Sequence, residues 1–206
     1  MIPVQPATEP AQFNADVRTP GRNYLQSLLP GEKPDFRTRN YWKRILRDLH
    51  TAYGGICAYS CHWMPYDVGS DTVEHFRPKT SYPDLAYEWI NYRLVCSRLN
   101  ARKGKFEDVI DPFNVLPGMF SLHFPSLNVI TGSSLTNAQR ALVESTIRRL
   151  RLNDSRSIDT RQEYLNSYIT GHISAAYFKN KAPFLVAELT RQSLTKQKLK
   201  KLFKSA

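Results

Sequence analysis

From Asn40 the chain carries a helical stripe. Trp42, Ile45, Leu46, Leu49 and Tyr53 recur at i, i+3, i+4 and i+7, a spacing that gathers them on one face of a helix. Gly54-Gly55 ends that helix, and its apolar face is expected to pack on a core. The period then changes. Residues 71 to 76, Asp-Thr-Val-Glu-His-Phe, and 92 to 96, Tyr-Arg-Leu-Val-Cys, are short and rich in β-branched and aromatic side chains, as strands require. An irregular loop with Pro78 and Pro83 lies between them. Residues 97 to 105, Ser-Arg-Leu-Asn-Ala-Arg-Lys-Gly-Lys, read as a short basic helix stopped by Gly104. This stretch therefore predicts β, loop, β, α.

Downstream, Phe120-Ser-Leu-His-Phe124 and Leu127-Asn-Val-Ile-Thr131 flank Pro125-Ser126 as the arms of a hairpin. Thr136 with Gln139 three residues on has the form of a capping box, and Val143, Ile147 and Leu150 give the next helix a buried stripe. Asn153-Asp154 breaks it before a second helix carrying Ile158, Leu165 and Ile169, which Gly171 closes. Pro183 suits the first turn of a last helix, strongly basic from Arg191 through Lys204. Upstream, Pro3, Pro6, Pro10, Pro20, Pro30 and Pro34 predict an extended arm, interrupted at most by a short amphipathic helix near Tyr24 to Leu29. The expected class is α+β in a single domain: an arm over 1–38, a core with its preceding helix over 39–115, and a hairpin with helices over 116–206.

Composition changes this picture little. With 41% apolar and 23% charged residues, the chain resembles ordinary globular proteins, which argues against global disorder. Charge adds more. Lys and Arg number 29 against 18 Asp and Glu, a formal net charge of +11, and the resulting field attracts a polyanion such as nucleic acid. A membrane is not expected, because no run of about 18 apolar residues occurs. The opening Met1-Ile2-Pro3-Val4-Gln5-Pro6 lacks the regions of a signal peptide, so a cytoplasmic location is expected. Cys57, Cys61 and Cys96 are an odd number in a reducing compartment, which leaves metal ligation or plain burial rather than a disulfide framework.

Hydrolysis of a phosphodiester needs a base, a divalent cation and scaffolding around one phosphate. Glu74 and His75 are adjacent in a strand, so their side chains leave on opposite faces unless the strand end twists, and they can take different roles. Mg²⁺ (or Mn²⁺) prefers oxygen and keeps several waters, so one carboxylate and one amide oxygen suffice from the protein; Glu74 and Asn100 fit. The unperturbed pKa of histidine suits His75 to accept a proton from water. Asn91 is the candidate for orienting that ring or for pinning the loop. Arg77, Lys79, Arg98, Arg102, Lys103 and Lys105 cluster around these residues in sequence and would grip flanking phosphates. Bland readings stand beside these: a strand histidine is most often structural, an asparagine a cap, a charge run a solvated face, and Glu74 a partner for Arg77 or Lys79.

Three ordered pieces carry a resemblance. Glu74-His75-Phe76-Arg77-Pro78-Lys79, then Tyr87-Glu88-Trp89-Ile90-Asn91-Tyr92-Arg93-Leu94, then Cys96-Ser97-Arg98-Leu99-Asn100-Ala101-Arg102-Lys103 resemble the bacterial HNH endonuclease family. The chain is most similar to the PtuB-type branch associated with Septu and retron anti-phage systems, with Ser145 to Asn153 and Arg161 extending the likeness. The resemblance implies a small ββα-metal core embedded in a mainly helical protein, with His75 as base, Glu74 and Asn100 on the metal, Asn91 structural or orienting, and Asn100 also part of the catalytic set. It further implies an ATPase partner that restrains or directs the chain; no Walker A pattern occurs here, so any ATP-driven step would belong to that partner. Many relatives hold a structural zinc on two Cys-x-x-Cys pairs. Here Cys57-Ala-Tyr-Ser-Cys61 has one extra residue and Leu99 stands where the last cysteine would fall, so packing of Cys57, Cys61, Cys96 and Leu99 is expected instead of zinc.

Two functions follow as expectations. The first is a metal-dependent endonuclease acting on DNA, or on tRNA or other RNA, as the effector of a defence system. The second is a non-catalytic nucleic-acid-binding or assembly subunit of a defence complex.

Overall fold

The computed structural model describes residues 1–203, so Lys204, the last of the basic run, lies outside the described residues. Contacts along the chain divide it into two compact units. One comprises Gln5–Ala58 and Met64–Glu107; the other comprises Met1–Val4, Tyr59–Trp63 and the residues from Asp108 onward. This division interleaves the segments of the sequence.

The first unit is built from α1 (Thr19–Gln26), α2 (Leu46–Ala52), β1 (Asp71–His75), β2 (Tyr92–Cys96) and α3 (Ser97–Lys103). β1 and β2 pair antiparallel, with Glu74 opposite Arg93 and His75 opposite Tyr92. The expected succession of strand, loop, strand and helix is present, with β1 ending at His75. Gly104 stops α3 with φ +47°, a left-handed value that a side chain would strain. The stripe after Asn40 is also present. Trp42, Ile45 and Leu49 are buried, although the first turn, Tyr41–Ile45, is the tighter 3-10 form before α2 begins.

The arm corrects one expectation. Rather than running extended with a helix near Tyr24 to Leu29, it coils earlier, through a π-turn at Asn14–Arg18 and then α1. Pro20 follows the π segment directly, and the Asp16 carbonyl that lacks its N–H accepts instead from Arg44 Nη1 at 2.9 Å. The coil lies on the loop between β1 and β2. Phe13 is fully buried and meets Trp89 and Tyr92 edge-on at 5.7 and 5.8 Å. The Trp89 indole N–H donates to Ala7 O at 2.8 Å, and the Tyr87 hydroxyl donates to Arg39 O at 2.7 Å. Arg18 and Arg22 both pair with Glu88, at 2.8 and 2.6 Å.

In the second unit β3 (Phe120–His123) and β4 (Asn128–Thr131) form the expected hairpin. α4 (Asn137–Leu150) opens on the Thr136/Gln139 capping box, and Asp154 caps α5 (Ser155–Thr170), which Gly171 ends with φ +91°. Two features differ from expectation. A helix α6 (Ala175–Lys181) follows, started by the Ser174 side chain accepting from the Tyr177 N–H. The basic last helix is two helices, α7 (Pro183–Arg191) and α8 (Lys196–Leu202), because Ser193 turns left-handed at φ +53° and Thr195 caps a new start. The described fold is thus α+β, with two small antiparallel sheets among eight α-helices. No helix among the described residues is long and apolar enough to cross a membrane.

Gly21 is where the arm meets the loop most closely. A Cβ built there would lie 2.1 Å from Tyr87 Cγ, so Gly21→Ala must displace the ring. Overpacking of this kind costs about 1–3 kcal/mol. A lower denaturation midpoint with an unchanged m-value is the expected result, and a wild-type midpoint would mean that the arm is not held against the loop.

Candidate functional site

Neighbours on a strand leave it on opposite faces, and β1 obeys this at its end. Glu74 turns toward α3, where its Oε1 lies 3.0 Å from Lys103 Nζ. His75 turns the other way, edge-on to Trp42 at 4.6 Å and Tyr92 at 5.1 Å between ring centroids. Where the strand stops, the two faces open onto one cleft of about 160 Å³, whose lining includes Glu74, His75, Pro78, Lys79, Asn100 and Lys105.

The partners of His75 fix its tautomer. Nε2 lies 2.9 Å from Ala86 O, and because a carbonyl only accepts, Nε2 carries the proton and Nδ1 keeps its lone pair. The Tyr92 hydroxyl donates to the same carbonyl at 2.8 Å. Burial pushes the imidazole pKa down to about 3, with Lys79 adding to the fall and the Ala86 bond opposing it. The ring is therefore neutral, and although only 5% exposed it borders the cleft.

Asn91 is equally well determined. Its Oδ1 accepts the Arg77 N–H at 2.7 Å, while Nδ2 donates to Arg77 O and Leu85 O at 3.0 and 3.1 Å. All of these bonds go to loop backbone, so Asn91 pins the loop rather than orienting the imidazole directly. Asn100 has its amide set by Thr72. The Thr72 hydroxyl donates to Val95 O at 2.7 Å, so its oxygen accepts from Asn100 Nδ2 at 2.8 Å, and Nδ2 also faces Val73 O at 3.4 Å. That leaves Oδ1 as the donor atom Asn100 offers a ligand.

Lys103 requires a correction. Expected on a phosphate-gripping rim, it is fully buried. Its ammonium donates to Phe76 O at 2.5 Å and His75 O at 3.3 Å and forms an ion pair with Glu74, so its charge is spent inside the protein. Helical spacing held the signal: Leu99, also fully buried, lies one turn before it on the inward face. Burial pushes the Glu74 carboxyl up to about 7, against the pull of Lys103. Its Oε1 has no hydrogen-bond donor beyond that ion pair.

The other expected rim residues divide. Lys79 is half-buried with Nζ 5.3 Å from the Trp42 ring centroid, and its pKa is lowered by burial. Lys79 and the exposed Lys105 line the cleft. Arg77 is exposed and paired with Glu107 at 3.0 Å. Arg98 and Arg102 are half-buried on α3 and are not among the cleft-lining residues.

A divalent cation fits this chemistry. Glu74 supplies a carboxylate oxygen short of donors and Asn100 an amide oxygen, a hard pair whose remaining coordination water would complete. The cysteines differ. Cys96 N–H donates to Cys57 Sγ at 3.4 Å, and the Cys57 thiol together with burial pushes the Cys96 thiol up. Cys61 belongs to the other unit. Among the described residues no three His, Cys, Asp or Glu side chains gather as a metal-binding group.

No family model and no curated protein matches this chain. The reading of the site rests on its own geometry. The contributions sequence reasoning missed are those of Ala86, a backbone carbonyl without any side-chain signature, and of Trp42, which it assigned to the core alone.

Removing the Lys103 charge leaves a buried carboxylate and two strand-end carbonyls without their donor. Lys103→Met is expected to cost about 3–5 kcal/mol, the scale for breaking a buried pair. Adding Glu74→Gln should recover part of that loss, as a double-mutant cycle on chemical denaturation would read. Strictly additive losses would show that the two groups do not interact.

Proposed function

We propose that this protein is a metal-dependent endonuclease of the HNH type, hydrolysing phosphodiester bonds of nucleic acid, with DNA favoured over tRNA or other RNA. The observation that carries this reading is the convergence of a neutral imidazole, a carboxylate and an amide oxygen on one small cleft at the end of a β-hairpin followed by a helix. The strand, strand, helix succession supports this reading, because the resemblance implies a ββα layout.

In this reading His75 Nδ1 accepts a proton from the attacking water, and the Nε2 bond to Ala86 O holds the ring in the tautomer that allows it. Glu74 and Asn100 Oδ1 would hold the cation, which when bound neutralises charge on the scissile phosphate. Lys79 brings a positive charge to the same cleft, where it opposes the phosphate charge. Lys103 is a positioning residue, fixing the Glu74 carboxylate and the carbonyl of His75. Asn91 keeps the Arg77 and Leu85 backbone in place, so the loop that presents Ala86 cannot drift. The resemblance to PtuB-type proteins extends the proposal to a cytoplasmic effector of anti-phage defence acting with an ATPase partner.

One observation favours the second reading, a non-catalytic nucleic-acid-binding or assembly subunit: Glu74 already has a cationic partner in Lys103. Incubation with plasmid and with total RNA, in Mg²⁺ or Mn²⁺ and in EDTA, separates the two. Metal-dependent cutting that EDTA stops, and that His75→Ala lowers by about 10²-fold or more, is the expected outcome. Cutting by His75→Ala at the wild-type rate would remove the nuclease reading.

A further inference from the structure

Beside the small cleft lies a second, larger groove of about 590 Å³, lined by Phe36, Arg37, Trp42, Lys43, Lys79 and Thr80 among others. Lys79 and Thr80 line both cavities, so the groove adjoins the cleft that His75, Glu74 and Asn100 line. Its chemistry is uneven. Buried aromatic edges of Phe36 and Trp42 contribute to its floor, and cations stand at its rim. Arg37 and Lys43 are exposed; Lys43 faces no carboxylate in the lining but Asp35, and Arg37 acts on Asp35 through its charge without closing an ion pair with it. The one carboxylate in the lining, Asp35, is committed elsewhere: it accepts from the Arg37 N–H at 2.9 Å and from the Thr38 hydroxyl at 2.9 Å. These bonds, with the charge of Arg37, hold its pKa below the usual carboxylate range.

Apolar lining with exposed cations beside it suits a nucleotide, whose sugar and base are partly apolar and whose phosphate is anionic. We infer that the Phe36–Lys43 groove is a nucleic-acid subsite, seating the nucleotide next to the scissile phosphate with Arg37 and Lys43 on its phosphodiester. The inference rests on the reading of the small cleft as a phosphodiester site, and it moves the binding track from α3 to the arm that precedes α2. α3 offers less for that purpose, because Lys103 is buried beneath it.

The test is binding without cutting. Fluorescence anisotropy in EDTA, with labelled 20-mer duplex DNA, single-stranded DNA and single-stranded RNA, compares the full-length chain with Arg37→Glu/Lys43→Glu. A control, Arg156→Glu/Lys179→Glu, changes net charge equally at exposed positions in the other unit. The groove variant should bind at least one probe about 10-fold or more weaker, with the log–log salt slope reduced by about two, while the control holds within about 2-fold and circular dichroism shows both folded. Equal losses in the groove variant and the control, no loss in any arm, or a wild type that binds none of the three probes would each overturn the subsite. Hydrolysis of bis(p-nitrophenyl) phosphate by wild type with Mn²⁺ tests the cleft separately. Its absence beside groove-dependent binding removes the nuclease reading and leaves the groove, whereas its presence with unaltered binding does the reverse.

Discussion

A buried ammonium at the end of a strand organises the first unit. Where β1 ends, the carbonyls of His75 and Phe76 need a donor, because an unpaired buried carbonyl costs free energy on the scale of a lost hydrogen bond. Lys103 meets both and forms an ion pair with Glu74. A lysine taken wholly out of water is tolerated because these carbonyls accept from it and its charge has a counterpart. The same contact supports α3, whose seven residues are too few to be stable alone. The helix stays because Leu99 and Lys103 bind its inward face to the strands.

A second layer of support reaches the imidazole from the opposite side. Ala86 O accepts from both His75 and Tyr92, so the ring points where that carbonyl points. The carbonyl belongs to a loop that has almost no regular structure to hold it. Asn91 ties the loop from within, and Phe13, Gly21 and the Arg18–Glu88 pair press the arm against it from outside. A segment that looks peripheral in sequence therefore sets the direction of the residue at the centre of the cleft.

How much of this was legible follows from the range of each signal. Local signals worked: β-branched runs marked the strands, Thr136 and Asp154 marked helix starts, and Gly104 and Gly171 marked stops, since each acts within a few residues. Proline density in the arm misled, because Pro20 is accommodated right after a π segment, with Arg44 meeting the Asp16 carbonyl that the proline leaves without its N–H. The pieces of the site could be named because histidine, carboxylate and amide at those intervals are chemically distinctive. Their wiring could not. The Ala86 carbonyl has no side chain to announce it, and the Thr72 hydroxyl that orients the Asn100 amide lies 28 residues away.

Charge is the case where sequence and structure part most sharply. Reading basic residues by their nearness to the motif treats each as a free cation, yet what attracts a phosphate is charge left uncompensated after folding. Lys103 is consumed inside the protein and Arg77 is shared with Glu107. Arg37 and Lys43, far from the motif in sequence, keep their charges exposed on a groove that shares Lys79 with the cleft. Burial and pairing thus redistribute the positive field from the helix that carries Asn100 toward the arm. A phosphodiester held at His75 would then extend over residues that motif spacing never selected.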